Sequence, residues 1–364
     1  MRKLLLTMLA AVMTLSGCST DSAEDAGDDS AAGSSTSSTF GFPDVTDTSD
    51  AATGTTAVQP PEPAPAPTCD PAKPAEPGQT TETTSFNGRD RTYLLTVPES
   101  YDGVEAVPLV FDYHGLSSTA QQQEAYTGLA TAAAEAGAVT VTPDGVSGNW
   151  GFYPGIGEDD MAFTEALVAT VSEQLCIDAN RVYAAGFSTG SIMAGFVGCE
   201  LGDTFAAVAH VSSLLPPDFC VTEPGATSLI VFHGTADPIA AYEGGSVPGA
   251  PAFVKSPAVE EGIAAWAAVS GCDPDPGEEV VNEEVRHLTY TGCTDSHTVE
   301  AYFVQDGGHT WPGAEPAAAA PGEDAAGVPA QQQAGATGLG YTTQAVDASL
   351  LIIDFFLAHP RPGE

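Results

Sequence analysis

Positive charge is what this chain of 364 residues has least of: nine Lys and Arg stand against 49 Asp and Glu, a formal charge of −40. Without clustered cations it cannot neutralise a phosphate backbone, which excludes a nucleic-acid binder. A basic face for anionic lipid head groups is excluded by the same count. Long apolar runs are missing beyond the first 18 residues, so no later segment is long and apolar enough to span a bilayer as a helix. No repeat of about 20–50 residues is visible, which excludes repeat architectures. Zinc spacings such as C-x-x-C or H-x-x-x-H are also absent, so no metal site is expected. What remains is a chain with 43 % hydrophobic residues, enough for a real core, and long enough for one large α/β domain or two small ones. Its acidity has two readings, a surface kept soluble by self-repulsion or an adaptation to high salt, and both stay open.

The N-terminus reads as an address. Arg2 and Lys3 precede an apolar stretch from Leu4 to Leu15, too short to span a membrane and right for a secretory signal. It ends Leu15-Ser16-Gly17-Cys18, which resembles the lipobox of bacterial lipoproteins, so residues 1–18 are expected to be a signal peptide with Cys18 lipidated. Residues 19–80 read as an acidic, Ser/Thr- and Pro-rich tether, including Pro60-Pro61-Glu62-Pro63-Ala64-Pro65-Ala66-Pro67, with too few large apolar residues to fold. Residues 81–364 form the expected domain. The six cysteines after Cys18 suit three disulfides in an exported chain. Cys272 and Cys293 flank one expected strand and are paired. Cys176 before a strand and Cys199 near the end of the following helix are paired as neighbours at one end of the sheet, leaving Cys69 with Cys220.

Along the domain the hydrophobic period alternates. A hairpin is expected at 83–97 around Asn87-Gly88, then strands near 107–113, 138–142, 181–185, 206–211, 228–232, 286–290 and 299–304. Helices are expected at 120–136, from Asp159 or Asp160 to about 175, and at 188–201, 259–269 and 345–358. Such alternation implies a mostly parallel sheet covered on both faces, an α/β fold without a large separate cap.

Chemistry concentrates in three strand-end motifs. Gly186-Phe187-Ser188-Thr189-Gly190 follows a strand and opens a helix, the context in which G-x-S-x-G lifts a serine hydroxyl out of the sheet. A serine needs a base to take its proton, and the base needs an orienting carboxylate. Asp237, in His233-Gly234-Thr235-Ala236-Asp237-Pro238, and His309, in Gly307-Gly308-His309-Thr310-Trp311-Pro312, each follow a strand in the order Ser, acid, His. Asp306 is the rival acid, badly placed three residues before His309. The backbone N–H of Thr189 and that of Leu116, in Tyr113-His114-Gly115-Leu116, are expected to hold an oxyanion, with Ser117 as the fallback. Trp150 and Trp311 flank these loops and are expected to stack on substrate. His114, His210 and His233 are expected to shape loops.

Taken together these stretches resemble the secreted α/β-hydrolases of the polyhydroxybutyrate depolymerase-like and feruloyl esterase family, over about 84–359. The resemblance rests on Tyr113-His114-Gly115, Pro143-Asp144-Gly145, Cys176-Ile177-Asp178, Arg181-Val182-Tyr183, Gly186 to Gly190, the Asp237 and His309 motifs and the last helix. It implies an α/β-hydrolase fold and a Ser188–Asp237–His309 triad working without metal or organic cofactor, with cysteines placed as in feruloyl esterases. Two departures stand out: Ser191, where relatives often carry Gly, and a long Ala-, Gly-, Pro- and Gln-rich stretch near 314–340. The function expected is an exported serine carboxylic-ester hydrolase acting on feruloyl or acetyl esters of plant polysaccharide, touching the membrane only through its lipid anchor. The alternatives are a hydroxyalkanoate polyester depolymerase and a catalytically silent binding protein on the same scaffold.

Overall fold

Two antiparallel hairpins flank a run of parallel strands in the computed structural model, which describes residues 67–152, 158–246, 255–314 and 338–361. The expected signal segment, Cys18 and the tether as far as residue 66 lie outside the described residues, as do 315–337 of the biased stretch. In chain order the elements are β1 (Gly78–Phe86), β2 (Arg89–Val97), β3 (Val107–Tyr113), α1 (Ala120–Thr127), α2 (Leu129–Glu135), β4 (Val139–Pro143), α3 (Asp160–Gln174), β5 (Ile177–Phe187), α4 (Thr189–Glu200), β6 (Ala207–Val211), β7 (Ser228–Gly234), β8 (Gly245–Ser246), β9 (Lys255–Ser256), α5 (Val259–Val269), β10 (Gly277–Val280), β11 (Val285–Tyr290), β12 (Val299–Val304) and α6 (Ala348–Ala358).

The main sheet runs β1-β2-β4-β3-β5-β6-β7-β12-β11-β10, and the six strands from β4 to β12 in that order are parallel. Their apolar residues divide by parity, as a strand's period of two requires. Leu109, Phe111, Val182, Ala184, Val208, Val231 and Phe303 face one layer, packed by α3, α4 and α5. Val110, Tyr183, Ala209, Ile230, Phe232 and Tyr302 face the other, packed by α2 and α6. This is the two-faced α/β sheet expected from the alternating pattern, and its parallel strands deliver every following loop to one edge.

Some expectations are corrected. The helix expected over 120–136 is two helices, because Gly128 takes a left-handed φ of 64° and its N–H caps Glu124 O. The tether boundary expected at residue 80 falls inside β1. Cys69 is bonded to Cys176 and Cys199 to Cys220, not Cys176 to Cys199 and Cys69 to Cys220. The segment at Cys69 lies along the lead-in to β3, where Cys69 N–H donates to Val104 O, and Val107 N–H donates to Cys176 O beside it. Meanwhile α4 packs over β5 and β6 and so carries Cys199 to the β6–β7 connection that holds Cys220. Cys272 is paired with Cys293.

Asp112, on β3, is wholly buried and accepts from Gln123 Nε2 at 2.8 Å and Thr127 Oγ1 at 3.3 Å. Burial pushes its carboxyl up to about 8 from 3.8. The folded protein therefore holds a proton that the unfolded chain releases near pH 4, and stability is lost as pH rises toward 8. The buried histidines act in the opposite sense at lower pH, so the comparison needed is with Asp112→Asn. Chemical unfolding at pH 5, 7 and 8 is expected to show the wild type losing on the order of 4 kcal/mol relative to that variant across the range, at about 1.36 kcal/mol per pH unit.

Candidate active site

The turn between β5 and α4 is tight because two glycines allow it. A Cβ on Gly186 would lie 2.2 Å from Gly190 O, and one on Gly190 would lie 1.9 Å from Tyr113 O. Ser188 between them sits at φ 56° and ψ −117°, a strained setting for a residue with a side chain, and its N–H is held by Val211 O at 3.0 Å. Strain of this kind projects the hydroxyl from the sheet edge at the start of a helix.

Two neighbouring strands bring the partners. β7 and β12 are parallel neighbours, and their following loops are zipped by Thr235 N–H to Val304 O and Ala236 N–H to Gly307 O, both 2.9 Å. His309 Nε2 lies 2.8 Å from Ser188 Oγ, and His309 Nδ1 lies 2.8 Å from Asp237 Oδ2. A carboxylate accepts only, so Nδ1 carries the proton and Nε2 is left to accept from the serine hydroxyl. The other carboxylate oxygen of Asp237 accepts from the N–H groups of Ile239 and Ala240 at 2.7 and 2.8 Å. Asp237 and His309 are 6 % and 4 % exposed, so the relay is shielded from water at all but the serine end. Asp306, the rival acid, is exposed and hydrogen-bonded to Gln305, with its N–H on Thr235 Oγ1.

The loop after β3 is braced on all sides but one. Trp150 Nε1 donates to His114 O, Ser117 N–H to Gly148 O and Ser118 N–H to Gly115 O. Gly145 N–H donates to His114 Nε2 at 2.9 Å, which puts the His114 proton on Nδ1, facing Gly115 O at 2.7 Å. Burial lowers the His114 pKa, which keeps that ring neutral and the brace intact. Because Ser117 N–H is spent, the fallback donor is unavailable, whereas the N–H groups of Leu116 and Thr189 show no chain partner among the described residues. A Cβ on Gly115 would stand 3.5 Å from Ser188 Cβ, so this loop lies directly against the serine.

Sequence reasoning had His233 as a residue that shapes its loop, gave Ser191 no contact and overvalued two tryptophans. His233 is buried with Nε2 2.8 Å from Ala240 O and 3.6 Å from Asp237 Oδ2, so it closes the turn that grips the acid. Ser191, the departure behind the nucleophile, donates to Ser213 O and meets His210 Nδ1 at 2.9 Å. Burial holds His210 down at about 3, so it stays neutral. Spacing alone gives no sign of the Ser191 contacts, since they join helix α4 to the end of β6 and the segment after it. Trp150 and Trp311, expected to stack on substrate, do not reach it. Trp311 is 0 % exposed with its N–H on Ser349 Oγ, and Trp150 is 4 % exposed and packed edge-on against Tyr113. Both are braces. Among the described residues no group of three His, Cys, Asp or Glu side chains is placed to hold a metal ion.

No family model matches the chain. Feruloyl esterase B of Piromyces equi is 28 % identical over 233 residues, 60 % of this chain, and the match spans only 42 % of that protein's length. The esterase NocK of Nocardia uniformis subsp. tsuyamanensis, so named by inference, is 31 % identical over 247 residues, covering 62 % of this chain and 72 % of NocK. Among solved structures, an acetyl xylan esterase from Aspergillus awamori aligns with TM-score 0.48 and 16 % identity over 64 % of this chain and 94 % of that one. The relatedness to NocK extends over most of both chains, and by it this protein belongs to the esterase family of α/β-hydrolases in which the feruloyl esterases are found.

Proposed function

We propose that this protein is an exported serine carboxylic-ester hydrolase that removes feruloyl or acetyl groups from polysaccharide. The observation that carries the reading is the pair of 2.8 Å contacts joining Asp237, His309 and the strained Ser188. In the proposed cycle His309 Nε2 takes the proton of Ser188 as its Oγ attacks the ester carbonyl. The carbonyl oxygen becomes an oxyanion, held by the N–H groups of Thr189 and Leu116. His309 then gives its proton to the leaving alkoxide, and the acyl group stays on Ser188. Water, deprotonated by His309, attacks the acyl-enzyme, and the acid leaves as Ser188 recovers its proton. Asp237 keeps Nδ1 protonated throughout and stabilises the imidazolium.

The feruloyl part of the substrate class is supported by the names of the feruloyl esterases to which the chain is similar. Export is supported by six cysteines joined as three disulfides, an arrangement of oxidising compartments. Lipidation at Cys18, with residues 19 to about 66 as a tether, completes the proposed layout of an enzyme held at the cell envelope.

Purified protein is expected to cleave both methyl ferulate and p-nitrophenyl acetate, read as ferulate by chromatography and nitrophenolate by absorbance. A protein that binds feruloylated arabinoxylan yet turns over neither ester would overturn the proposal in favour of a binding role.

A further inference from the structure

Seven of the nine Lys and Arg lie among the described residues, and the sheet sorts them by edge. Lys73, Arg181 and Arg361 gather at the amino ends of the parallel strands. There Lys73 holds Ser172 O at the end of α3, Arg181 pairs with Asp178 at 2.7 Å, and Arg361 binds the backbone at Ala179 and Asn180. The other four stand at the carboxyl edge with Ser188. Arg91 is 3 % exposed, lies 2.6 Å from Asp160 and is stacked on Phe163. Arg89 pairs with Glu158 at 3.2 Å. Arg286 pairs with Glu260 and Glu278 over the face of Phe303. Each guanidinium at this edge is thus committed to a carboxylate of the chain. Only Lys255 has no carboxylate partner here. It sits on the β8–β9 ribbon, where its ammonium holds Ser246 Oγ.

Against that lone ammonium the same edge presents exposed carboxylates that make no ion pair among the described residues, although they line one cavity with the already paired Arg286. Glu243 follows the acid loop, and Asp306 stands three residues before His309. A substrate anion arriving at Ser188 meets no free guanidinium and enters the field of a chain carrying −40. Charge of one sign lining an approach route changes encounter rates by about 10–1,000-fold at low salt.

We infer that this site selects esters that are neutral or cationic around the scissile bond and turns away those bearing a carboxylate or another anion there; the inference rests on the esterase reading above. Neutral pentose and hexose esters fit such a site, whereas uronate-flanked esters and carboxylate-terminated oligoesters do not. The field also acts on the outcome of each cycle, since hydrolysis turns a neutral ester into an acid that ionises and is then repelled.

Three phenyl acetates of one scaffold test this on the full-length protein. They carry a para carboxylate, its methyl ester or a para trimethylammonium group, and each rate is divided by its spontaneous hydrolysis. At 0.01 M salt, where screening extends over about 30 Å, kcat/KM for the anion is expected to fall about tenfold or more below that of the neutral ester, with the cation equal or faster. At 0.5 M salt the three are expected to agree within about threefold. The double variant Glu243→Gln/Asp306→Asn is expected to narrow the low-salt gap and leave the neutral ester unchanged. Asn suits the left-handed φ of 55° at position 306. An anion turned over as fast as its methyl ester at 0.01 M, or a gap that salt does not move, overturns the inference and leaves the esterase standing. Failure of all three esters, the neutral one included, overturns the esterase reading and the inference with it.

Discussion

Ester turnover is expected to fall by about 10⁶-fold on Ser188→Ala, with the fold retained. In the proposed cycle this hydroxyl is the atom that becomes covalently bonded, and it is the one hydrogen-bond partner of His309 Nε2 among the described residues. A residual acceleration of about 10³-fold over water is expected from the N–H pair and from binding alone. The strain at φ 56° is borne by alanine as by serine, so the unfolding midpoint should move little. Because the three side chains act as one relay in the proposed cycle, adding Asp237→Asn or His309→Ala to the serine variant should cost little more. Initial rates on p-nitrophenyl acetate, with circular dichroism as the check on folding, decide it. A variant retaining about 1 % of wild-type turnover would place the nucleophile elsewhere.

The largest effect on folding is expected at Gly190. A methyl group there would stand 1.9 Å from Tyr113 O and 2.6 Å from His114 O, both backbone atoms with no flexible side chain to yield. Helix α4 would have to lift from the end of β3, parting the serine from the loop that carries Leu116. Gly190→Ala is therefore expected to cost more than about 4 kcal/mol, enough to leave little folded protein. The control is Gly198→Ala in the same helix, where the nearest contacts are the Val208 methyls at 3.1 and 3.2 Å. A few tenths of an ångström of movement relieves those contacts, and alanine recovers about 1 kcal/mol of helix propensity. Urea unfolding of the two variants side by side should separate them cleanly. If both unfold alike, packing against the β3 carbonyls is not what glycine protects at 190.

Strand and helix identity was legible because burial on both faces leaves a continuous apolar run, as in Val107–Tyr113, and a turn signal closes it. Ser188, Asp237 and His309 were legible for a related reason: each lies in a short glycine-bearing motif directly after a strand, and parallel strands share an edge. What stayed hidden depends on contacts between distant segments. Trp150 and Trp311 flank the right loops, yet sequence cannot say that their rings turn inward to hold His114 O and Ser349 Oγ. The disulfide partners of Cys176 and Cys199 were misassigned because sharing an end of a sheet does not fix which side of it a helix overhangs. The break at Gly128 was hidden by good helix formers on both sides, while the edge strand β10, GEEV, has no buried face to give it a pattern.

The bond between Cys69 and Cys176 has a mechanical consequence. Pulling on the chain ahead of residue 69 would, without it, draw on the backbone pairing that leads to β1, an edge strand that peels one ladder bond at a time. Sulfur instead passes the load to the start of β5, a central strand that fails only if the whole sheet shears. Ser188 stands beyond the far end of that strand, whose stretch Ile177–Gly186 lies alongside Val107–Tyr113, about 20 Å at 3.3 Å per residue. Force applied upstream thus enters the domain at the end opposite the serine and is spread through the sheet before any of it reaches the hydroxyl.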